Sequence, residues 1–114
     1  MDNSQQIQEI ELSMKRGQNL VDQGNALERL RSNKDFKKVV LDSYFEQEAI
    51  RLVHLKADSN MQTADKQASI IKQIDAIGAV TQYFQTLSQL ASMARKALAA
   101  DEEMRDELLA EGAK

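Results

Sequence analysis

Proline, cysteine and tryptophan are all absent from this chain of 114 residues, which also holds only four glycines, five aromatic residues and one histidine. Without proline, nothing in the sequence forces a helix to kink or end. Without cysteine there is neither a disulfide framework nor a thiolate metal centre, a composition that fits a reducing compartment. Three phenylalanines and two tyrosines make the core aliphatic and thin. Such a chain gains stability by associating, because burial contributes only about 25 cal/mol per Å². Charge is missing locally as well: residues 76–94 carry none, although 29% of the chain is charged. That stretch is too polar for a membrane, since Thr81, Gln82, Gln85, Thr86, Ser88, Gln89 and Ser92 interrupt it and a spanning helix needs about 20 predominantly apolar residues.

What is present is a set of good helix formers, Ala, Leu, Gln, Glu and Lys, together with Asp. The chain therefore reads as all-α: a single domain over residues 1–114, folded as an elongated bundle of three helices with a long C-terminal helix. The helices are predicted over about residues 4–31, 35–57 and 63–110. Fifteen basic and eighteen acidic residues give a net charge of −3, which argues against direct nucleic-acid binding. The acidic excess is C-terminal: Asp101, Glu102, Glu103, Asp106, Glu107 and Glu111 outweigh Arg105 and Lys114. The first residues, Met1-Asp2-Asn3-Ser4, lack the basic start and apolar run of a secretion signal, so the chain is expected in the cytosol.

Within the first predicted helix, Ile7, Ile10, Met14 and Val21 form one seam that continues through Gly17 and Gly24, with Leu20, Leu27 and Leu30 beside it. Asn3 or Ser4 is the expected cap, and Glu9 and Glu11 fall where negative charge favours the dipole. A glycine in a helix costs roughly 1 kcal/mol against alanine. Either a neighbouring backbone approaches closely at these glycines, or the helix bends or stops; the leucine stripe favours a continuous helix bent near Gly24. The turn Ser32-Asn33-Lys34-Asp35 leads into a second helix with apolar residues Phe36, Val39, Val40, Tyr44, Ala49, Leu52 and Val53, and with Phe45, Ile50 and Leu55 beside or behind them. Apolar on more than one face, it reads as a central element. Asp58-Ser59-Asn60 ends it, and Ser59 with Gln62, or Thr63 alone, caps the next.

The third helix carries an apolar seam at Ile77, Val80, Phe84, Leu87, Ala91, Ala94 and Leu98, at alternating steps of three and four. Its opposite side is amide and hydroxyl, a surface better suited to another protein than to water. Its predicted length would span about 72 Å, against about 35 Å across a compact domain of this size. The helix is therefore expected to break near Gly78 or near residues 99–101, or to project one end, with residues 101–114 as the projecting segment.

Chemistry is sparse. His54 stands alone, without the three or four ligands a metal centre needs, and is read as structural or solvated. Glu102, Glu103, Asp106 and Glu107 place four carboxylates on adjoining turns, which could hold Mg²⁺ with a phosphate. An acidic helix end facing a basic partner is the simpler reading. Lys34, Lys37 and Lys38 flank Phe36, with Arg29 and Arg31 just before; this cluster reads as a solvated face or as a contact for an acidic patch, including the C-terminal segment of a neighbouring subunit. Glu48 and Arg51 are spaced for a surface ion pair.

Residues 26–30 (Ala-Leu-Glu-Arg-Leu), 33–39 (Asn-Lys-Asp-Phe-Lys-Lys-Val), Tyr44-Phe45, 48–53 (Glu-Ala-Ile-Arg-Leu-Val), Ile77-Gly78-Ala79 and Tyr83-Phe84 resemble a family of short helical proteins of tailed bacteriophages, associated with head and connector assembly genes. The likeness covers roughly residues 20–100. It implies a non-enzymatic virion or head-assembly component that binds capsid or portal and connector proteins, in multiple copies or as a homo-oligomer. The implied places are the host cytoplasm during assembly and the virion. No catalytic, cofactor or metal-binding residues follow from it. Tyr83, Gln85, Gln89, Ser92, Met104 and Leu108 are the expected partner-binding residues. Two other readings stand beside this one: a small phage regulator that binds a host enzyme through the acidic C-terminal helix, and a Mg-dependent nucleotide pyrophosphohydrolase built on the four carboxylates.

Overall fold

A computed structural model describes residues 3–112, which contain helices and no strand. Helix α1 spans Asn3–Arg31. Helix α2 covers residues 34–57 and changes character along its length: α-helical at Lys34–Phe36, π-helical over Lys37–Glu48 and α-helical again at Ala49–Ala57. A short 3₁₀ turn, Ser59–Met61, leads to helix α3, Ala64–Gly112. The all-α architecture with a long C-terminal helix is thus as the sequence predicts, and α3 runs unbroken through Gly78 and residues 99–101.

Side chains fix the boundaries. The Asn33 Oδ1 accepts the Phe36 N–H at 2.9 Å and caps α2, while the Ser32 hydroxyl donates to the Glu28 carbonyl at 3.1 Å. The Asp58 Oδ1 accepts the Asn60 N–H at 2.8 Å. Gln62 and Gln67 close the connection, each donating its amide to the Lys56 carbonyl, at 3.0 and 2.9 Å. Thr63 caps α3 through its Oγ1, 3.4 Å from the Lys66 N–H. Glu9 and Glu11 lie beyond the first turn of α1, which holds no acidic residue, so the dipole gain expected from them is small.

The chain divides into two compact units, one comprising Glu28–Gln85 and the other the residues up to Leu27 together with those from Thr86 onward. In the Glu28–Gln85 unit the core is Leu52, Ile70 and Ile77, packed by Tyr44, Phe45, Ala49, Leu55, Met61 and Ile74. All five aromatic rings connect: Phe84 lies 6.1 Å from Phe36, 5.7 Å from Phe45 and 6.2 Å from Tyr83, and Tyr44 is 5.8 Å from Phe45. Each such pair adds about 0.5–1.5 kcal/mol beyond burial.

The π-helical stretch was not foreseen. Its half-buried residues come as neighbouring pairs at steps of four, Val40-Leu41, Tyr44-Phe45 and Glu48-Ala49. The i→i+5 hydrogen bonding of a π-helix widens the turn, and both members of the middle pair, Tyr44 and Phe45, pack against the core. Val39, Ile50 and Val53 are 63, 53 and 60% exposed, so α2 is not enclosed on every side as expected of a central element. In α3 the seam differs at one place: Val80 is exposed, and Thr81 is half-buried instead. The Thr81 hydroxyl donates to the Ile77 carbonyl at 2.9 Å, which removes the cost of burying it.

In the second unit α1 runs antiparallel to the C-terminal part of α3. The Asn3 side-chain amide donates to the Leu108 carbonyl at 3.4 Å, the Ser13 hydroxyl to Asp101 at 3.1 Å, and the Arg95 guanidinium to the Asn25 Oδ1 at 2.8 Å. Val21, Gly24 and Leu27 of α1 are buried, as are Ala91 and Ala94 of α3, while Leu30 is exposed. The two glycines mark the contact. A Cβ on Gly17 would sit 3.3 Å from Leu98 Cγ, and one on Gly24 would overlap the Ala91 Cβ. A close approach of α3 therefore accounts for both, through the Leu98 side chain at Gly17 and through Ala91 at Gly24, and α1 does not stop at Gly24. Within residues 101–112, Asp101, Arg105 and Leu108 are half-buried, and Ser13 and Asn3 of α1 donate to Asp101 and to the Leu108 carbonyl. Residues 113 and 114 of that segment lie outside the described residues.

Candidate interaction surface

Four of the six expected contact residues, Tyr83, Gln85, Gln89 and Ser92, are exposed on α3. The Tyr83 ring lies tilted at 48° to that of Phe84, with centroids 6.2 Å apart, and remains 59% exposed. Met104 is 54% exposed, and Leu108 is half-buried. The last two line a shallow groove of about 330 Å³ with Gln6, Glu9, Ile10, Ser13 and Asp101.

The six do not form one stripe. At 100° per residue, Tyr83 and Gln85 lie about 160° apart around the helix, and Ser92 shares the Gln85 side. Gln89 lies between. No single straight helix can touch Tyr83 and Gln85 at once. What the sequence reading missed is the group beside Tyr83: Leu90 and Met93 are 37 and 66% exposed, on a helix stretch that carries no charge until Arg95. Their signal was the spacing 83, 86, 90, 93, masked because Thr86 and the following alanines are small.

The other candidates are separate from this surface. Among the described residues no three His, Asp or Glu side chains are placed to hold a metal ion. Glu102, Glu103, Asp106 and Glu107 are exposed, whereas Asp101 is engaged by Ser13. Arg105 is half-buried, with its Nη2 3.8 Å from Asp106 and its Nε lacking a hydrogen-bond partner. His54 and the basic residues Arg29, Arg31, Lys34, Lys37 and Lys38 are all exposed.

Glu48 and Arg51 form the ion pair their spacing predicts, with the Arg51 Nε donating to Glu48 at 3.0 Å and Nη2 to the other carboxylate oxygen. The hydrogen bond, and then the charge, of Arg51 hold the Glu48 carboxyl below the usual carboxylate range. Among the described residues no helix is long and apolar enough to cross a membrane. In comparisons with known proteins the chain matches no family model, no curated protein and no solved structure.

Proposed function

We propose that this chain is a non-enzymatic structural protein of a bacteriophage, a virion or head and connector component that acts through helix-mediated protein contacts. The observation that carries the reading is the uncharged stretch of α3 between Ala76 and Ala94, in which Tyr83, Gln85, Gln89, Ser92 and Met93 are each exposed although they do not share one side of the helix. A solvated helix face ordinarily carries charge. Amides and hydroxyls pair across an interface without the desolvation cost of ions. The resemblance of residues 20–100 to short tailed-phage proteins gives the setting, the host cytoplasm during assembly and then the particle, with capsid or portal and connector proteins as partners.

The test is composition followed by mutation. Mass spectrometry of purified virions should find the chain in abundance, and its absence would favour the regulatory binder. Replacing both Gln85 and Gln89 by Glu should lower incorporation while circular dichroism stays helical, because both side chains are exposed. Normal copy number in that double variant would remove the amide face from the interface.

A further inference from the structure

Two groups of like charges stand at helix ends whose dipoles disfavour them. Helix α2 opens with Lys34, Lys37 and Lys38, all exposed, where unsatisfied N–H groups already make the end positive. Only Asp35 offsets them in that first turn. Helix α3 closes with Glu102, Glu103, Asp106, Glu107 and Glu111, all exposed, and its last turn holds no basic residue, although a helix C-terminus favours cations. Spacing adds to the cost: Lys34 and Lys38 repel at i,i+4, as do Glu102 and Asp106, Glu103 and Glu107, and Glu107 and Glu111. Among the described residues, ion pairs join only Arg51 to Glu48 and Arg105 to Asp106. The three lysines and the four glutamates have no ionic partner. Arg29 and Arg31 differ, because they stand in the last turn of α1, where the dipole accounts for them.

Resting on the reading of the chain as an assembly component in multiple copies, we propose that the acidic end of α3 docks on the basic start of α2 of a second copy. The pairing answers both mismatches at once. Carboxylates brought to the start of α2 meet cations and a positive dipole end, and lysines brought to the end of α3 meet anions and a negative one. Both groups are open to a neighbour. Ser13 and Asn3 of α1 bond to Asp101 and to the Leu108 carbonyl, while Glu103, Glu107 and Glu111 stay exposed in a stripe at i, i+4 and i+8. At the start of α2, Phe36 is half-buried, 6.1 Å from Phe84, and the lysines around it are exposed. A free polyanion would answer the lysines alone and leave the carboxylates unmatched. Each copy carries one surface of each sign, so the docking is head to tail and extends to further copies.

The test is charge reversal. The full chain should self-associate in sedimentation at low salt and return to monomer toward about 1 M salt, where the Debye length falls to about 3 Å. Reversing the basic group (Lys34→Glu, Lys37→Glu and Lys38→Glu) or the acidic stripe (Glu103→Lys, Glu107→Lys and Glu111→Lys) should weaken association about tenfold or more. Each reversal puts at its helix end the sign that the dipole favours, so the urea midpoint should hold or rise. That separates a lost contact from a lost fold. Mixing the two triple variants, or joining all six substitutions in one chain, should restore association. A monomer at every low-salt concentration, association indifferent to salt, a lowered midpoint, or no recovery in the mixture overturns the pairing. A monomer that still enters particles, sensitive to Gln85→Glu with Gln89→Glu, would sink the pairing and leave the assembly reading standing. Association that follows the charges in a chain absent from virions would do the reverse.

Discussion

Replacing Gly24 by alanine tests the close contact between α1 and α3. The added Cβ would overlap the Ala91 Cβ and lie 3.6 Å from the Arg95 guanidinium. Two terms oppose each other. Alanine in a helix interior gains about 1 kcal/mol over glycine, while overpacking costs about 1–3 kcal/mol. Gly78 provides the reference, because a Cβ there meets nothing within 4 Å. The propensity gain is common to both variants, so their difference isolates the steric term at about 1–3 kcal/mol. Gly78→Ala should raise the urea midpoint, and Gly24→Ala should fall below it by that amount at unchanged slope. Gly17→Ala should fall between them, since its nearest neighbour, Leu98 Cγ at 3.3 Å, is a side-chain atom that has to give by only a few tenths of an ångström. Adding Ala91→Gly to Gly24→Ala removes the overlapping atom, so a double-mutant cycle should give a favourable coupling of about 0.5–3 kcal/mol. Equal stabilisation by Gly24→Ala and Gly78→Ala would refute the close approach.

Leu52 is fully buried at the centre of its unit. Leu52→Ala should cost about 2–5 kcal/mol in chemical denaturation, and a loss near zero would mean that the aromatic group, not Leu52, holds this core. Glu48 titrates low because Arg51 donates to it, so Arg51→Gln should move its midpoint up toward the ordinary carboxylate value in side-chain NMR. The pair's contribution is present above that ordinary value and fades as pH falls through the lowered one. A midpoint unmoved by Arg51→Gln would contradict the hydrogen bond.

Helix limits were legible because their signals are local. Asn33 and Thr63 are short polar side chains that take up backbone donors, and both ends were placed within a residue or two. Burial was legible where period and polarity agreed, as at Ile77, Phe84, Ala91 and Ala94. It failed where they conflicted: Thr81 is half-buried with its hydroxyl bonded to its own helix, and Asp101 and Arg105 are half-buried although charged. The glycines announced a close approach without naming the neighbour, which only the antiparallel register of α1 and α3 supplies. The π-helical geometry of residues 37–48 depends on two adjacent side chains both finding the core, and a periodicity reading built on 3.6 residues per turn cannot register it. Of the candidate surface, the uncharged stretch was visible directly, but its division into an amide side and an apolar side emerges only when angles around α3 are assigned.

The wide turns of α2 also set how the gene can tolerate length change. Deleting one residue from an ordinary α-helix rotates everything beyond it by about 100° and turns a buried side outward. Between Lys37 and Glu48 the backbone already accommodates more residues per turn than an α-helix needs. A single-codon loss there can be absorbed by tightening to α-helical pitch, leaving Leu52 and Leu55 aimed as before, whereas the same loss between Ala49 and Ala57 would swing Leu55 away from its neighbours.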